Sequence, residues 1–236
     1  MKRKVLWLYT VSLAGLCCAV PARADLFGFQ LVPVTPIHTD GSVAAQLSLE
    51  VTDASPYVLL TFRNNLAPGS VVDDPLQSSI TQAFFDDRAG VLGSLVLDFP
   101  SSAGVSFDAE QGPSNLPSGN SLTPDFETDF WAGATSGKGG VAGNGVNPGE
   151  YVQIQFEPGT SYADLLAALY LGAGDPTAGE GTLRVGIHVQ QLIDATGGTT
   201  SDAFILTPPV VTPVPAALML GMLGLGAAGW RLRRFA

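Results

Sequence analysis

The chain is 236 residues long and 46% hydrophobic, enough apolar material for a packed core, and it carries 21 acidic against 11 basic side chains. The imbalance is sharper between Asp25 and Leu206, which hold every acidic residue but only Arg63, Arg88, Lys138 and Arg184 of the basic ones, a net charge of −17. A field of that sign repels phosphate backbones and anionic headgroups, so nucleic-acid binding is excluded, while divalent cations and solubility are favoured.

Residues 1–24 have the order of a secretory signal peptide. Lys2, Arg3 and Lys4 form a basic start, Val5 to Val20 is nearly all apolar, and Ala22-Arg23-Ala24 is a small-x-small cleavage site, so the mature chain is expected to begin at Asp25. Lipid attachment is not expected, because Leu16 and Cys17 stand where a lipoprotein signal needs a small residue before its cysteine. Cys17 and Cys18 are the only cysteines, and both lie in this segment. The mature domain therefore enters an oxidising compartment with neither a disulfide nor a thiol.

From Asp25 to Leu206 the chain reads as one all-β domain, an antiparallel β-sandwich of about ten strands with one short helix. Candidate strands in chain order are Leu26 to Val32, Ala45 to Val51, Tyr57 to Arg63, Ile80 to Phe85, Leu92 to Phe99, Val105 to Asp108, Phe126 to Trp131, Val152 to Phe156, Leu183 to Val189 and Ala203 to Leu206. The clearest alternate apolar and polar residues, as in Val152, Ile154 and Phe156 against Gln153, Gln155 and Glu157, the pattern of a strand buried on one face. Turn residues separate them at Asp40-Gly41, Asn64-Asn65, Pro68-Gly69, Asp74-Pro75, Asn147-Pro148-Gly149 and Pro158-Gly159. After the last of these, Thr160 or Ser161 caps a helix in which Asp164 suits the first turn. Tyr162, Leu165, Leu166 and Leu169 share a face, and Gly172 ends it, so this helix is expected to plug one open end of the sandwich. Gln111 to Pro124 and Thr135 to Gly149 are read as loops too rich in Gly, Ser, Asn and Pro to bury a face.

Candidate chemistry is sparse. The chain has two histidines, His38 and His188, and no G-x-S-x-G elbow, so neither a serine triad nor a zinc site is expected, and His188 is placed on the polar face of its strand. Glycosidase action needs two carboxylates at a set separation, and nothing singles out such a pair among the acids. Ca²⁺ is the one cofactor the residues suggest, through hard oxygen ligands at Asp73, Asp74, Asp86 and Asp87. The same aspartates also suit turns that cap backbone amides, and Asp86 and Asp87 also suit pairing with Arg88 or Arg63. Trp131 and Tyr151 are the candidate contacts for a sugar ring.

The segment 207–236 is different in kind: prolines at 208, 209, 213 and 215, an uncharged apolar run from Ala216 to Trp230, then Arg231, Arg233 and Arg234. Fifteen helical residues span about 22 Å, short of the roughly 30 Å hydrocarbon core, so the run enters a membrane but crosses it poorly. The arginines would remain on the cytoplasmic side. This order resembles the PEP-CTERM sorting signal of Gram-negative bacteria, with Pro213, Val214 and Pro215 in the proline box, a short Gly/Leu/Ala helix and the arginine cluster. From Phe62 to Ile205 the FFDD, GVNPGEYVQIQF, YADLLAAL and LRVGIHVQ stretches also look like the export domains of some proteins with this tail. No site carries over from that second likeness. The resemblance implies processing by an exosortase-like enzyme, transient membrane contact through the C-terminal helix, and delivery to the cell surface or the extracellular space. It also implies a structural or interactive role in an exopolysaccharide or biofilm matrix. A glycan- or calcium-binding module and a secreted glycosidase are the alternatives.

Overall fold

The computed structural model describes residues 24–31, 43–65, 78–96, 100–137, 141–174, 179–193 and 197–208. The signal-peptide core, His38, Asp73, Asp74 and the sorting tail beyond Pro208, with Pro213, Val214, Pro215, Arg231, Arg233 and Arg234, lie outside the described residues.

Among the described residues there are ten strands: β1 (Ala24–Leu31), β2 (Leu47–Ala54), β3 (Tyr57–Asn64), β4 (Ser79–Asp87), β5 (Leu92–Val96), β6 (Phe107–Ala109), β7 (Phe130–Ala134), β8 (Glu150–Pro158), β9 (Leu183–Ile193) and β10 (Thr199–Thr207). One helix, α1 (Tyr162–Gly174), separates β8 from β9. Among the described residues no helix is long and apolar enough to cross a membrane.

The strands form one sheet in the order β5-β8-β3-β2-β1-β10-β9-β4-β7-β6, and every neighbouring pair is antiparallel. Periodicity alone suggests two separate sheets. Instead β1 pairs with β2 on one side and β10 on the other, so the two halves are continuous. A twisted sheet of this width curls rather than staying open. Here it curls nearly into a barrel, bringing β4 onto β8 although several strands separate them in the sheet. Phe85 meets Phe156 edge-on at 5.0 Å between ring centres, Phe130 meets Phe156 at 5.5 Å, and Phe62 meets Phe85 at 6.0 Å. Asn64 ties the curl at one end, donating through Nδ2 to the carbonyls of Ser78 and Val146, each at 3.1 Å.

The core follows from alternation where one face of a strand meets water. In β8, Val152, Ile154 and Phe156 are fully buried, while Gln153 and Gln155 are half-buried and Glu157 is exposed. The strand β4 departs from that rule: Ser79 to Asp86 are buried without a break, so both of its faces are covered.

Two expectations about local structure are corrected. First, the strand expected at Phe126 to Trp131 begins at Phe130; Phe126 lies before it, its amide bound to the carbonyl of Gly119 at 3.1 Å. Second, the loops at 111–124 and 135–149 do bury residues. Leu116 and Phe126 pack with Phe84 and Ala203 into a small second cluster on the outer face of the sheet, and Ala142 and Val146 are buried beside β4. A few apolar side chains suffice in an otherwise polar loop, because each drops into a gap that the strands leave open.

In α1 the cap forms as expected. The Ser161 hydroxyl oxygen accepts the Asp164 amide at 3.2 Å, and Asp164 accepts from the hydroxyls of Ser161 at 2.6 Å and Thr160 at 3.1 Å, which holds its carboxyl below the usual range. Leu165, Leu166 and Leu169 are buried against β9 and β10, and the Tyr162 hydroxyl donates to the Val51 carbonyl at 3.0 Å, so the helix lies over the end of the sheet where β2 finishes and β9 starts. Gly172 does not end the helix, which runs on to Gly174. Its missing side chain lets the helix backbone approach the Leu183 carbonyl.

Candidate functional site

The outer face of β4 and β9 is built from positions that point away from the core. Register aligns Gln82 with His188, Phe84 with Gly186 and Asp86 with Arg184, and places Trp131 of β7 on the other side of Phe84. Gly186 therefore opens a slot in the middle of this row, and Leu116 fills it; a side chain added at 186 would meet both Leu116 methyl carbons at 2.8 Å. Gln82 fixes the loop's start, donating through Nε2 to the carbonyls of Gln111 and Pro113, each at 3.0 Å.

Asp86 fixes the other end. Its carboxylate, fully buried, accepts from Arg184 through Nε at 3.0 Å and Nη2, from Arg88 Nε at 3.1 Å, and from the Glu127 amide at 3.0 Å. The two guanidinium groups reach on to the loop backbone: Arg184 donates to the Pro124 carbonyl at 2.8 Å, and both arginines donate to the Asp125 carbonyl. Arg184 also lies 5.3 Å from the centre of the Phe126 ring. Charge-assisted bonds from three directions satisfy the buried carboxylate and hold residues 124–127 by their backbone, which leaves Asp125 and Glu127 exposed while Phe126 packs inward.

Above this clamp lies a recess of about 590 Å³ lined by Asn115, Leu116, Asn120, Asp125, Phe126, Glu127 and Thr128. Leu116 and Phe126 make its apolar floor, two amides and two carboxylates its rim, and the Thr128 hydroxyl oxygen is buried without a hydrogen-bond partner. A smaller recess, about 250 Å³, lies among Leu95, Ala109, Glu110, Asp129, Phe130 and Trp131.

The expected site residues fall elsewhere. The calcium role expected of Asp86 does not fit its surroundings, since a cation there would face two guanidinium groups. Asp87 is a turn residue whose carboxylate accepts the amides of Val91 at 3.0 Å and Leu92 at 2.7 Å. Burial pushes its carboxyl above the usual range, and the nearby Asp129 adds to this against the pull of those amides. Among the described residues no group of three or more His, Cys, Asp or Glu side chains is arranged to hold a metal.

Trp131 and Tyr151 do not converge on one ligand. Phe130 and Phe156 point into the core and touch, so the alternation of β7 and β8 turns Trp131 and Tyr151 outward on opposite walls of the curled sheet. Trp131 packs against the outer cluster, and the Arg63 guanidinium lies 5.2 Å above the Tyr151 ring. His188 is half-buried rather than solvent-facing, its Nδ1 lacks a partner, and desolvation lowers its pKa.

The recess residues Asn115, Asn120, Asp125, Glu127 and Thr128 were not legible as a group, because a loop shows no period. Their one trace in the sequence is glycine inside strands, at Gly133 and Gly186, where a missing side chain marks the close approach of another backbone or side chain. No protein-family model matches the chain, and no curated protein or solved structure matches it either.

Proposed function

We propose that this chain is a surface or extracellular-matrix protein of a Gram-negative bacterium, exported with its signal peptide, sorted through its tail by an exosortase-like enzyme, and acting non-enzymatically within an exopolysaccharide or biofilm matrix. The observation that carries this reading is where the first and last described strands lie. β1 opens at Ala24, beside the expected cleavage point, β10 closes at Thr207, where the proline-rich segment begins, and the two strands are neighbours in the sheet. Cleavage before Asp25 and within the proline-rich segment would take one residue, Ala24, from the ten described strands. Asp25, the expected new N-terminal residue, is already tied to the helix, accepting from the hydroxyl of Tyr170 at 3.2 Å, with the Tyr162 hydroxyl oxygen 3.3 Å from its other carboxylate oxygen.

The −17 charge adds support, since it keeps an exported domain soluble and off anionic membranes once its apolar tail is gone. Fractionation of the producing cells tests the reading. The full chain should accumulate in the surface or matrix fraction, and a variant lacking Thr212 to Ala236 should lose that placement. Equal distribution of the two would overturn the sorting role of the tail.

A further inference from the structure

We infer that the recess over β4 and β9 binds a neutral, hydroxyl-rich sugar residue of a polysaccharide. This goes beyond the export reading and does not depend on it. The volume of about 590 Å³ lies within the roughly 300–1,000 Å³ usual for small-ligand pockets, but the lining here is far more polar than that of a drug-like site. Asn115 and Asn120 each present a donor and an acceptor, and Asp125 and Glu127 present acceptors. Beneath this rim Leu116 and Phe126, both largely buried in the outer cluster, add a small apolar patch for the C–H face of a sugar ring.

The same residues set the ligand's charge. The guanidinium groups of Arg88 and Arg184 are engaged by Asp86 and by the carbonyls of Pro124 and Asp125, and Arg88 also lies 3.8 Å from the Glu127 carboxylate, so among the described residues no unengaged cation lines the recess, whereas the carboxylates of Asp125 and Glu127 do. An anionic sugar such as a uronate would be repelled. Binding would cost little ordering, because the clamp already fixes the backbone of residues 124–127.

Affinity electrophoresis of protein recovered from the producing cells tests this, using gels cast with a soluble α-1,4-glucan, a β-1,3-glucan, a β-1,4-glucan or a galactomannan, and with polygalacturonate for comparison. At least one neutral polymer should retard the protein, and polygalacturonate should not. Asn120→Ala/Asp125→Ala should weaken that retardation about tenfold, the loss of two hydrogen bonds. Both positions are exposed, so an unchanged melting temperature will show that the fold survives. No retardation by any neutral polymer, equal retardation by polygalacturonate, or full retardation of the double variant would each overturn the proposal. Retardation abolished by Trp131→Phe with the double variant unaffected would do the same. None of these outcomes bears on the export reading, which is tested at the chain ends.

Discussion

Asp86 and Arg184 are register partners across β4 and β9, and both are buried, with side-chain exposures of 0% and 5%. A buried ion pair seldom adds net stability over apolar residues of the same shape, but removing one partner strands the other charge. Here the stranded group would also release a loop. Asp86→Asn should cost about 3–5 kcal/mol in denaturant melts, as should Arg184→Met. In both variants the amide of Glu127 should lose its protection from hydrogen exchange before the strands do. A loss below about 1 kcal/mol in both would mean that the clamp does not hold the loop.

Gly186 and Leu116 are coupled by shape. Gly186→Ala puts a methyl group where Leu116 sits and should destabilise by about 1–3 kcal/mol, the usual range for overpacking. Leu116→Ala should cost about 2–5 kcal/mol alone. In the double variant the new methyl group partly fills the space Leu116 leaves, so the combined loss should be smaller than the sum of the two. Strict additivity would show that the side chains do not share the slot.

The core rule is tested at one strand. Phe156 is fully buried against Phe85 and Phe130, and its neighbour Gln155 points the other way. Phe156→Ala should destabilise by about 3–5 kcal/mol, whereas Gln155→Ala should stay within about 0.5 kcal/mol. Equal losses would contradict a strand buried on one face.

How far the fold was legible depends on where each strand meets water. β8 is bounded by Pro148-Gly149 and Pro158-Gly159 and has one solvated face, so its alternation survives in the sequence and its extent is readable to within a few residues. β4 has no solvated face, and its polar residues Thr81, Gln82 and Asp86 are buried as partners of the β9 backbone, a loop and two arginines. The pair at Asp86 joins residues 98 apart in sequence, so it depends on the register of two strands and on nothing local. Phe126 looked like strand because it precedes Phe130 and Trp131, yet its ring belongs to the loop that covers them. The continuity of the sheet rests on β1 pairing on both sides, a property of topology that periodicity does not encode.

Half-burial of His188 sets a pH dependence. Its folded-state pKa is lowered by desolvation, so the unfolded chain takes up the proton first. The contribution of neutral His188 is full above about pH 6.5, the unfolded value, and declines as the pH falls from there toward the folded value. Its register neighbours, Gln82 and Ala203, carry no charge to offset this. Urea melts at pH 7.5 and 5.5 should show the parent losing more stability on acidification than His188→Gln does. A parent and variant with the same pH profile would contradict the desolvated environment.

If the exported form is the curled sheet freed of both targeting segments, intact mass spectrometry of the protein recovered from the surface or matrix of the producing cells should find a chain that begins at Asp25 and lacks Ala216 to Ala236. Recovery there of a chain that still carries Arg231, Arg233 and Arg234 would refute the processing of the tail.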